Sequence, residues 1–517
     1  MAIFCPLKPI EPRLRYLLPA DLYAISWVEP SPSILTRVFE HLRTLYYILH
    51  DYVPRQVLDN LPAPGTLNHR WQESTLMFTD LAGFTPLMEA NARYGTDGAK
   101  TLLNILNAYF AEMIEIISKS GGNLLEFTGD AMLAQFESDA RRDDTAQAIR
   151  AGMRMQRAMQ RFAHIETPQG EFSLAMRIGI HTGRFVTADI GTPRRMEHVL
   201  LGSTVHHTKL AEGSGKVGRV CLTEAAYERV KDQFRFEPGR PGYMLAVDDF
   251  SAAELGEYEI APSTRRPRSS LLLDRSIEGL VGEIEKTVEL IEPLAAFLPE
   301  PVLNLLIESA AKRQIPPDFP EPTILFVNLI GLPEAMDRAQ PGEEAGLVNS
   351  FSKIFAQINA AVEARGGVLK KVTYHLNGSD MMIYFGAPRA HTDDPLRAVE
   401  AAVAIREAVL NLNPPPVGGQ AINMSCQIGI ARGPVFVAEI GEPRGRREFN
   451  ALGDAINTAA RLMGRAVNNQ IYMTEAVHER VSRHFDCEPL EPLALKGKSA
   501  PLAVFALKGV PDLTPQL

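Results

Sequence analysis

The chain has 517 residues, and its 62 acidic and 53 basic side chains leave a net charge of −9, the wrong sign for a general nucleic-acid or anionic-membrane surface. Hydrophobic content of 45% and charged content of 22% are those of a soluble globular protein with room for two or three domains. Nothing approaches the roughly 20 apolar residues of a membrane helix, there is no secretory leader, and Cys5, Cys221, Cys426 and Cys487 show neither metal spacing nor pairing. The expectation is a cytoplasmic protein with no transmembrane segment and no nucleic-acid partner.

Residues 1–70 read as a partly helical N-terminal extension, with a helix from Ile34 to Leu61 interrupted at Pro54. Residues 71–262 form a first compact unit. In it, Thr75 to Thr79 is a short apolar, β-rich run that stops on Asp80. Leu124 to Phe127 and Ala131 to Phe136 are two further strands, joined by the hairpin signal Thr128-Gly129-Asp130. As neighbours in one sheet they set Asp80 and Asp130 side by side at its edge. Two carboxylates so placed need a counter-charge, and a hard divalent cation such as Mg²⁺ supplies it. Either piece alone reads equally as a simple turn. Residues 263–320 form a connector, helical from Ile277 to Ala311 with breaks at Pro293 and Pro299; residues 321–508 form a second unit and 509–517 a tail.

The second unit repeats the first at an offset near 250. Phe78-Thr-Asp80-Leu matches Phe326-Val-Asn328-Leu, Ile190-Gly-Thr-Pro-Arg matches Ile440-Gly-Glu-Pro-Arg, and Thr223-Glu-Ala-Ala-Tyr-Glu-Arg-Val matches Thr474-Glu-Ala-Val-His-Glu-Arg-Val. Even the approaches correspond, Tyr52-Val-Pro-Arg-Gln-Val-Leu with Phe297-Leu-Pro-Glu-Pro-Val-Leu. A period this long marks a duplicated domain rather than a solenoid. Each unit runs strand, helix, hairpin, helix, strand, loop, strand, helix, which predicts an α+β fold with a ferredoxin-like sheet layer. Asp393-Asp394-Pro395 is expected to cap the second long helix of the second unit, and Asp143-Asp144 that of the first.

The copies differ at polar positions. Asp80 becomes Asn328 and Asp130 becomes Ser379. Asn457 and Arg461, four apart on one helical face, become His206 and Leu210 in the first copy. One copy keeps two acids and the other an amide and a guanidinium. A single site shared across a pseudo-two-fold interface accounts for that division.

At Phe-Thr-Asp80-Leu-Ala-Gly-Phe-Thr, Phe-Thr-Gly-Asp130-Ala and Leu-Gly-Asp-Ala-Ile-Asn457-Thr-Ala-Ala-Arg461-Leu the chain resembles the class III nucleotidyl cyclases, and its tandem arrangement resembles the soluble adenylyl cyclases. The resemblance implies two ferredoxin-like cyclase domains forming an intramolecular pseudo-heterodimer that converts ATP to 3′,5′-cyclic AMP and pyrophosphate at one site per chain. Asp80 and Asp130, with the Leu81 carbonyl, would hold two Mg²⁺ ions, for which Mn²⁺ can substitute. Asn457 would orient the ribose and Arg461 would stabilise charge on the α-phosphate. Arg177 stands where a phosphate-binding Lys is found, opposite Gln427 in the other copy, and Lys496 would reach the terminal phosphates; taken alone, these are also an exposed strand charge and a solvated turn lysine. Lys371 aligns with the adenine-reading lysine, with Lys370 leaving a second register open, and Asn450 would complete adenine recognition. The degenerate half-site, from Glu126, Lys209, His206, Asn328 and Ser379, corresponds to a pocket where a Lys and an Arg bind bicarbonate in the soluble enzymes. Here Glu126 replaces one cation and is expected to pair with Lys209, weakening any bicarbonate response. A guanylate cyclase is the alternative enzyme, disfavoured by Lys371 and by the lack of Glu and Cys at the base positions. A non-catalytic cyclase-homology module that binds nucleotide or acts as a scaffold is the other, disfavoured because Asp80, Asp130, Asn457 and Arg461 are all present.

Overall fold

The apolar runs become strands buried along most of their length, and helices pack on both faces of each sheet. The computed structural model describes residues 5–137, 143–256, 274–312, 315–373, 380–442, 445–494 and 501–509. Before the first sheet lie α1 (Pro32–Tyr52) and α2 (Arg55–Asp59). They are separated where Val53 is held extended ahead of Pro54, whose ring disfavours a helical predecessor. Then come β1 (Asn68–Ala82), α3 (Gly95–Lys119), β2 (Gly122–Thr128), β3 (Ala131–Phe136), α4 (Asp144–Ala158), β4 (Ala175–Thr192), β5 (Arg195–Leu201), α5 (Thr204–Ser214), β6 (Val220–Thr223), β7 (Phe236–Pro238) and β8 (Tyr243–Ala246). Their sheet runs β2-β3-β1-β4-β6-β8-β7, with β5 returning along the far end of β4.

The connector supplies α6 (Ile277–Ala295) and α7 (Glu300–Ser309). Pro293 does not break α6, contrary to the sequence expectation. It removes one i→i−4 bond two residues before the helix ends, and Leu280, Ile284, Val288 and Ile291 hold the helix by one buried face. α6 lies along α1.

The second unit contains β9 (Thr323–Ile330), α8 (Glu344–Glu363), β10 (Val368–Thr373), β11 (Asp380–Phe385), α9 (Asp394–Leu410), β12 (Ser425–Arg432), β13 (Phe436–Gly441), β14 (Arg447–Leu452), α10 (Asp454–Arg465), β15 (Ile471–Thr474), β16 (Asp486–Pro489) and β17 (Val504–Gly509). The order β10-β11-β9-β12-β15-β17-β16 repeats that of the first sheet. One difference has a plain cause. Where β4 runs unbroken, its counterpart splits into β12 and β13 around Gly433-Pro434, and a proline cannot donate to a ladder. At the helix starts, Asp143 caps α4 through the Thr145 and Ala146 amides. Asp393 makes no such contact; Asp394 instead accepts from the His391 amide at 2.7 Å.

Each half inserts an arm into the other. Val186, Ala188, Ile190, Val199 and Leu201 of β4 and β5 belong to the core of the second half. Phe436, Ala438, Ile440 and Leu452 of β13 and β14 belong to that of the first. Fully burying one such large apolar side chain is worth roughly 1.5–3 kcal/mol, so the exchange welds the halves. Polar contacts follow the same symmetry. The Gly191 amide donates to Ser352 on α8 at 2.9 Å, and the Gly441 amide donates to Asn107 on α3 at 3.3 Å. Among the described residues, no helix is long and apolar enough to cross a membrane.

Candidate active site

Between the halves lies a cavity of about 360 Å³. The first half contributes Asp80, Leu81, Asp130, Arg177, Lys209 and Glu212 to its wall, and the second contributes Phe326, Met382, Asn457 and Arg461. Asp80 is the thirteenth residue of β1 and faces Arg177 of β4 as its cross-strand partner. Asp130 sits in the β2–β3 turn, where Gly129 takes a positive φ of 64° that a side chain would resist. Asn457 and Arg461 project from α10, one helical turn apart, so that one face of that helix carries both.

The acidic end is electrostatically tense. Asp130 is pushed up to about 8, first by burial and then by the nearby Asp80 carboxylate. The Arg177 guanidinium bonds Asp80 through Nη2, and its Nε lies 3.0 Å from Glu212, whose side chain is 1% exposed. Glu212 also accepts from Lys209 at 2.6 Å. Burial raises the Glu212 pKa, and Lys209 opposes the rise. α5 reaches this depth because Gly179 lies beneath it: a Cβ there would come within 2.0 Å of the Glu212 amide. Lys209 also lies over the Phe78 ring at 4.4 Å. The donor set of Asp80, Asp130 and the Leu81 carbonyl is all hard oxygen, as Mg²⁺ or Mn²⁺ requires.

Asn450, Lys370 and Lys371 lie behind the cavity. Asn450 is fully buried, one residue before the lining Ala451; its amide nitrogen donates to the Gly129 carbonyl at 3.0 Å, which ties it to the Asp130 turn. Its oxygen accepts from Lys370, not from Lys371. Lys371 donates to the Phe127 carbonyl and pairs with Glu448 at 2.8 Å. The cause is a bulge in β10 between Leu369 and Lys371, which turns Lys370 toward β14. Burial lowers Lys370 to about 8, against the pull of Glu448.

Two expectations about the degenerate half-site need correcting. Glu126 does not pair with Lys209: it accepts from Thr128 and borders a second cavity of about 80 Å³, beside Lys370, Lys371, Glu197 and Glu448. Lys209 belongs to the larger cavity, since it precedes the 41%-exposed Leu210 by one residue and so points about 100° away around α5. Asn328 donates to Gln427 at 2.9 Å, its cross-strand partner on β12, and His206 lies on α5 with its ring 6.2 Å from that of His207. Glu126 and Lys209 thus border different cavities. Ser379 and Lys496 lie outside the described residues. Sequence reasoning missed Glu212, although its spacing from Lys209 and the loss of both, as Met463 and Ala460, in the other copy were there to be read. It also missed the crossed arginines. Arg195 donates to the Lys370 carbonyl at 2.9 Å, and Arg446 donates to the Leu125 carbonyl at 3.5 Å, each reaching into the other half.

The model of the adenylate and guanylate cyclase catalytic domain matches this chain twice, over residues 67–246 and 316–509. The chain belongs to the class III nucleotidyl cyclases. It is similar to adenylate cyclase type 10 of Mus musculus, 24% identical over 406 residues that make up 76% of this chain and 24% of that protein. Adenylate cyclase 1 of Rhizobium meliloti is 26% identical over 212 residues, 40% of this chain and 31% of that one. The chain thus spans about a quarter of the length of the type 10 relatives it matches. Among solved structures, a class III adenylyl cyclase-like ATP-binding protein from Pseudomonas aeruginosa covers 86% of this chain and 93% of its own, with a TM-score of 0.54 at 14% identity, a likeness of fold.

Proposed function

We propose that this class III cyclase converts ATP to 3′,5′-cyclic AMP and pyrophosphate in the cavity between its halves. The observation that carries the reading is that one cavity joins Asp80 and Asp130 of the first half with Asn457 and Arg461 of the second. Asp80, Asp130 and the Leu81 carbonyl are the residues that would hold two Mg²⁺ ions, which Mn²⁺ can replace. When bound, such ions neutralise the triphosphate and acidify the ribose 3′-hydroxyl. Asn457 is suited to fixing the ribose by hydrogen bonds from its amide. Arg461 lies one turn away, where charge develops as the 3′-oxygen bonds to the α-phosphorus, the hydroxyl proton departs and the bond to the β-phosphate oxygen breaks. Arg177 and Lys209 give the phosphate chain two cations on the first-half wall. Base reading falls to Lys370 with Asn450: the ammonium donates to a ring nitrogen of adenine, and the amide oxygen accepts from the exocyclic amine. The test is incubation with Mg²⁺ or Mn²⁺ and either ATP or GTP, followed by separation of cyclic products. Cyclic AMP from ATP supports the reading, cyclic GMP in its place assigns the guanylate alternative, and no cyclic product overturns both.

A further inference from the structure

The four charged groups Asp80, Arg177, Glu212 and Lys209 form one connected set in the wall of the large cavity. The internal duplication provides a control for them. At the equivalent positions the second half has Asn328, Gln427, Met463 and Ala460. The equivalences are structural: Asp80 pairs across the ladder with Arg177 as Asn328 does with Gln427, and Gly429 abuts Met463 as Gly179 abuts Glu212. The half without the paired carboxylates has therefore lost all four charges, while its strand order and its packed helix are kept. An ordinary ion pair supporting the fold would be needed in both halves. The set thus belongs to the acidic end of the site.

Its geometry says what it does. The Arg177 guanidinium sits directly on Asp80, one of the two carboxylates proposed to hold metal, as a covalently attached cation. It is also held from behind by Glu212, a buried carboxylate that is not among the proposed metal ligands. We propose that Arg177 is a built-in counter-ion of Asp80 that is exchanged for a divalent cation, and that Glu212 is the positioning residue that takes the guanidinium and holds it, with Lys209, toward the phosphate end. Without metal, Arg177 quiets the repulsion between Asp80 and Asp130. With metal bound, the same guanidinium becomes available to a phosphate. Glu212 keeps it in the cavity through the 3.0 Å contact to Nε, and because Glu212 also serves Lys209 it does not hold the guanidinium too tightly to meet a phosphate. This proposal rests on the metal assignment made above, but its test does not need turnover.

The experiment is Mn²⁺ binding to the full chain without nucleotide, read by the electron paramagnetic resonance signal of free Mn²⁺. Asp80→Asn is the control, and loss of binding in that variant places the ion at this site. Arg177→Met should bind Mn²⁺ about tenfold more tightly than the unmodified chain, because a competing cation is gone. Glu212→Gln should bind about threefold more weakly, because Arg177 then rests wholly on Asp80. In an Arg177→Met background, Glu212→Gln should change Mn²⁺ affinity by far less, since Glu212 acts through Arg177. Unchanged or weaker Mn²⁺ binding in Arg177→Met overturns the proposal, whatever the chain does with ATP. An equal effect of Glu212→Gln in both backgrounds overturns the role given to Glu212. Mn²⁺ affinities as expected in a chain that forms no cyclic nucleotide leave the proposal standing and remove the cyclase reading.

Discussion

The two halves share strand order, arm exchange and core, yet the same ladder position carries an ion pair in one and an amide pair in the other. Asp80 faces Arg177 on β4, and Asn328 faces Gln427 on β12. Asp80 and Asn328 are isosteric and Gln427 is a shorter, neutral side chain than Arg177, so the ladder geometry survives while the charge disappears. A second symmetric pair diverges without any change of residue. Glu197 and Glu448 occupy corresponding places on β5 and β14. Burial pushes Glu197 up to about 7 against the pull of Arg195 and, more weakly, of Lys371. Burial also acts on Glu448, but Lys370, Lys371 and Arg446 outweigh it and hold that carboxyl well below the usual range. Duplication supplies equal scaffolds, and a few neighbouring side chains decide which copy carries chemistry.

The strongest way to break the comparison is to make the first half resemble the second. Asp80→Asn or Asp130→Asn should cut cyclic-nucleotide formation by roughly 1,000-fold, the several kcal/mol that metal ions supply to such a transition state. Far-ultraviolet circular dichroism should stay unchanged, because the second half folds with Asn328 in place of Asp80. Arg461→Ala, which leaves α10 with alanine where the first half has Leu210, should lower kcat by about 100- to 1,000-fold.

The converse change concerns stability. Asn328→Asp sets a charge at a 6%-exposed position facing only an amide, and should cost about 1–3 kcal/mol in chemical denaturation. Adding Gln427→Arg should recover part of that, which a double-mutant cycle would show as a coupling absent from either single change.

Glu197 sharpens the comparison through pH. Its folded-state pKa is raised, so the folded chain binds more protons than the unfolded chain between about pH 4.5 and 7. Its contribution to stability is therefore fully present below the unfolded value and is lost as pH rises through about 7. Arg195, Lys371 and Glu126 are the charged groups around it. Glu197→Gln should flatten that decline when melting temperature is followed across this range, whereas Glu448→Gln should lower it throughout by leaving Lys370 and Lys371 without their shared acceptor. The smallest effects should come from Ser352→Ala and Asn107→Ala. Each removes one inter-half acceptor for an arm amide, at about 0.5–1.5 kcal/mol, and the pair should match within error.

The sequence carried the strands, the hairpin at Gly129 and the duplication, because short apolar β-rich runs and turn chemistry are local and the runs were written twice. It also carried the positions that gather around the large cavity. What it did not carry depends on rotation about an element. Lys209 and Leu210 are adjacent in sequence but point about 100° apart around α5, and the alignment of Leu210 with Arg461 does not show that Lys209 enters the large cavity. The β10 bulge likewise exchanged Lys370 for Lys371 at Asn450, and no periodic pattern announces a bulge. Glu212 escaped notice because a buried carboxylate on a helix looks like any other until its two cations are seen.

The arms that cross between the halves have a further consequence. In an enzyme whose site forms between separate subunits, dilution empties the site by mass action. Here the partner surface travels with the chain, through α6 and α7, and a tethered partner is felt at an effective concentration on the order of millimolar however dilute the solution. The assembled cavity is thus a unimolecular property. A single molecule isolated at nanomolar concentration should hold it as completely as a concentrated stock.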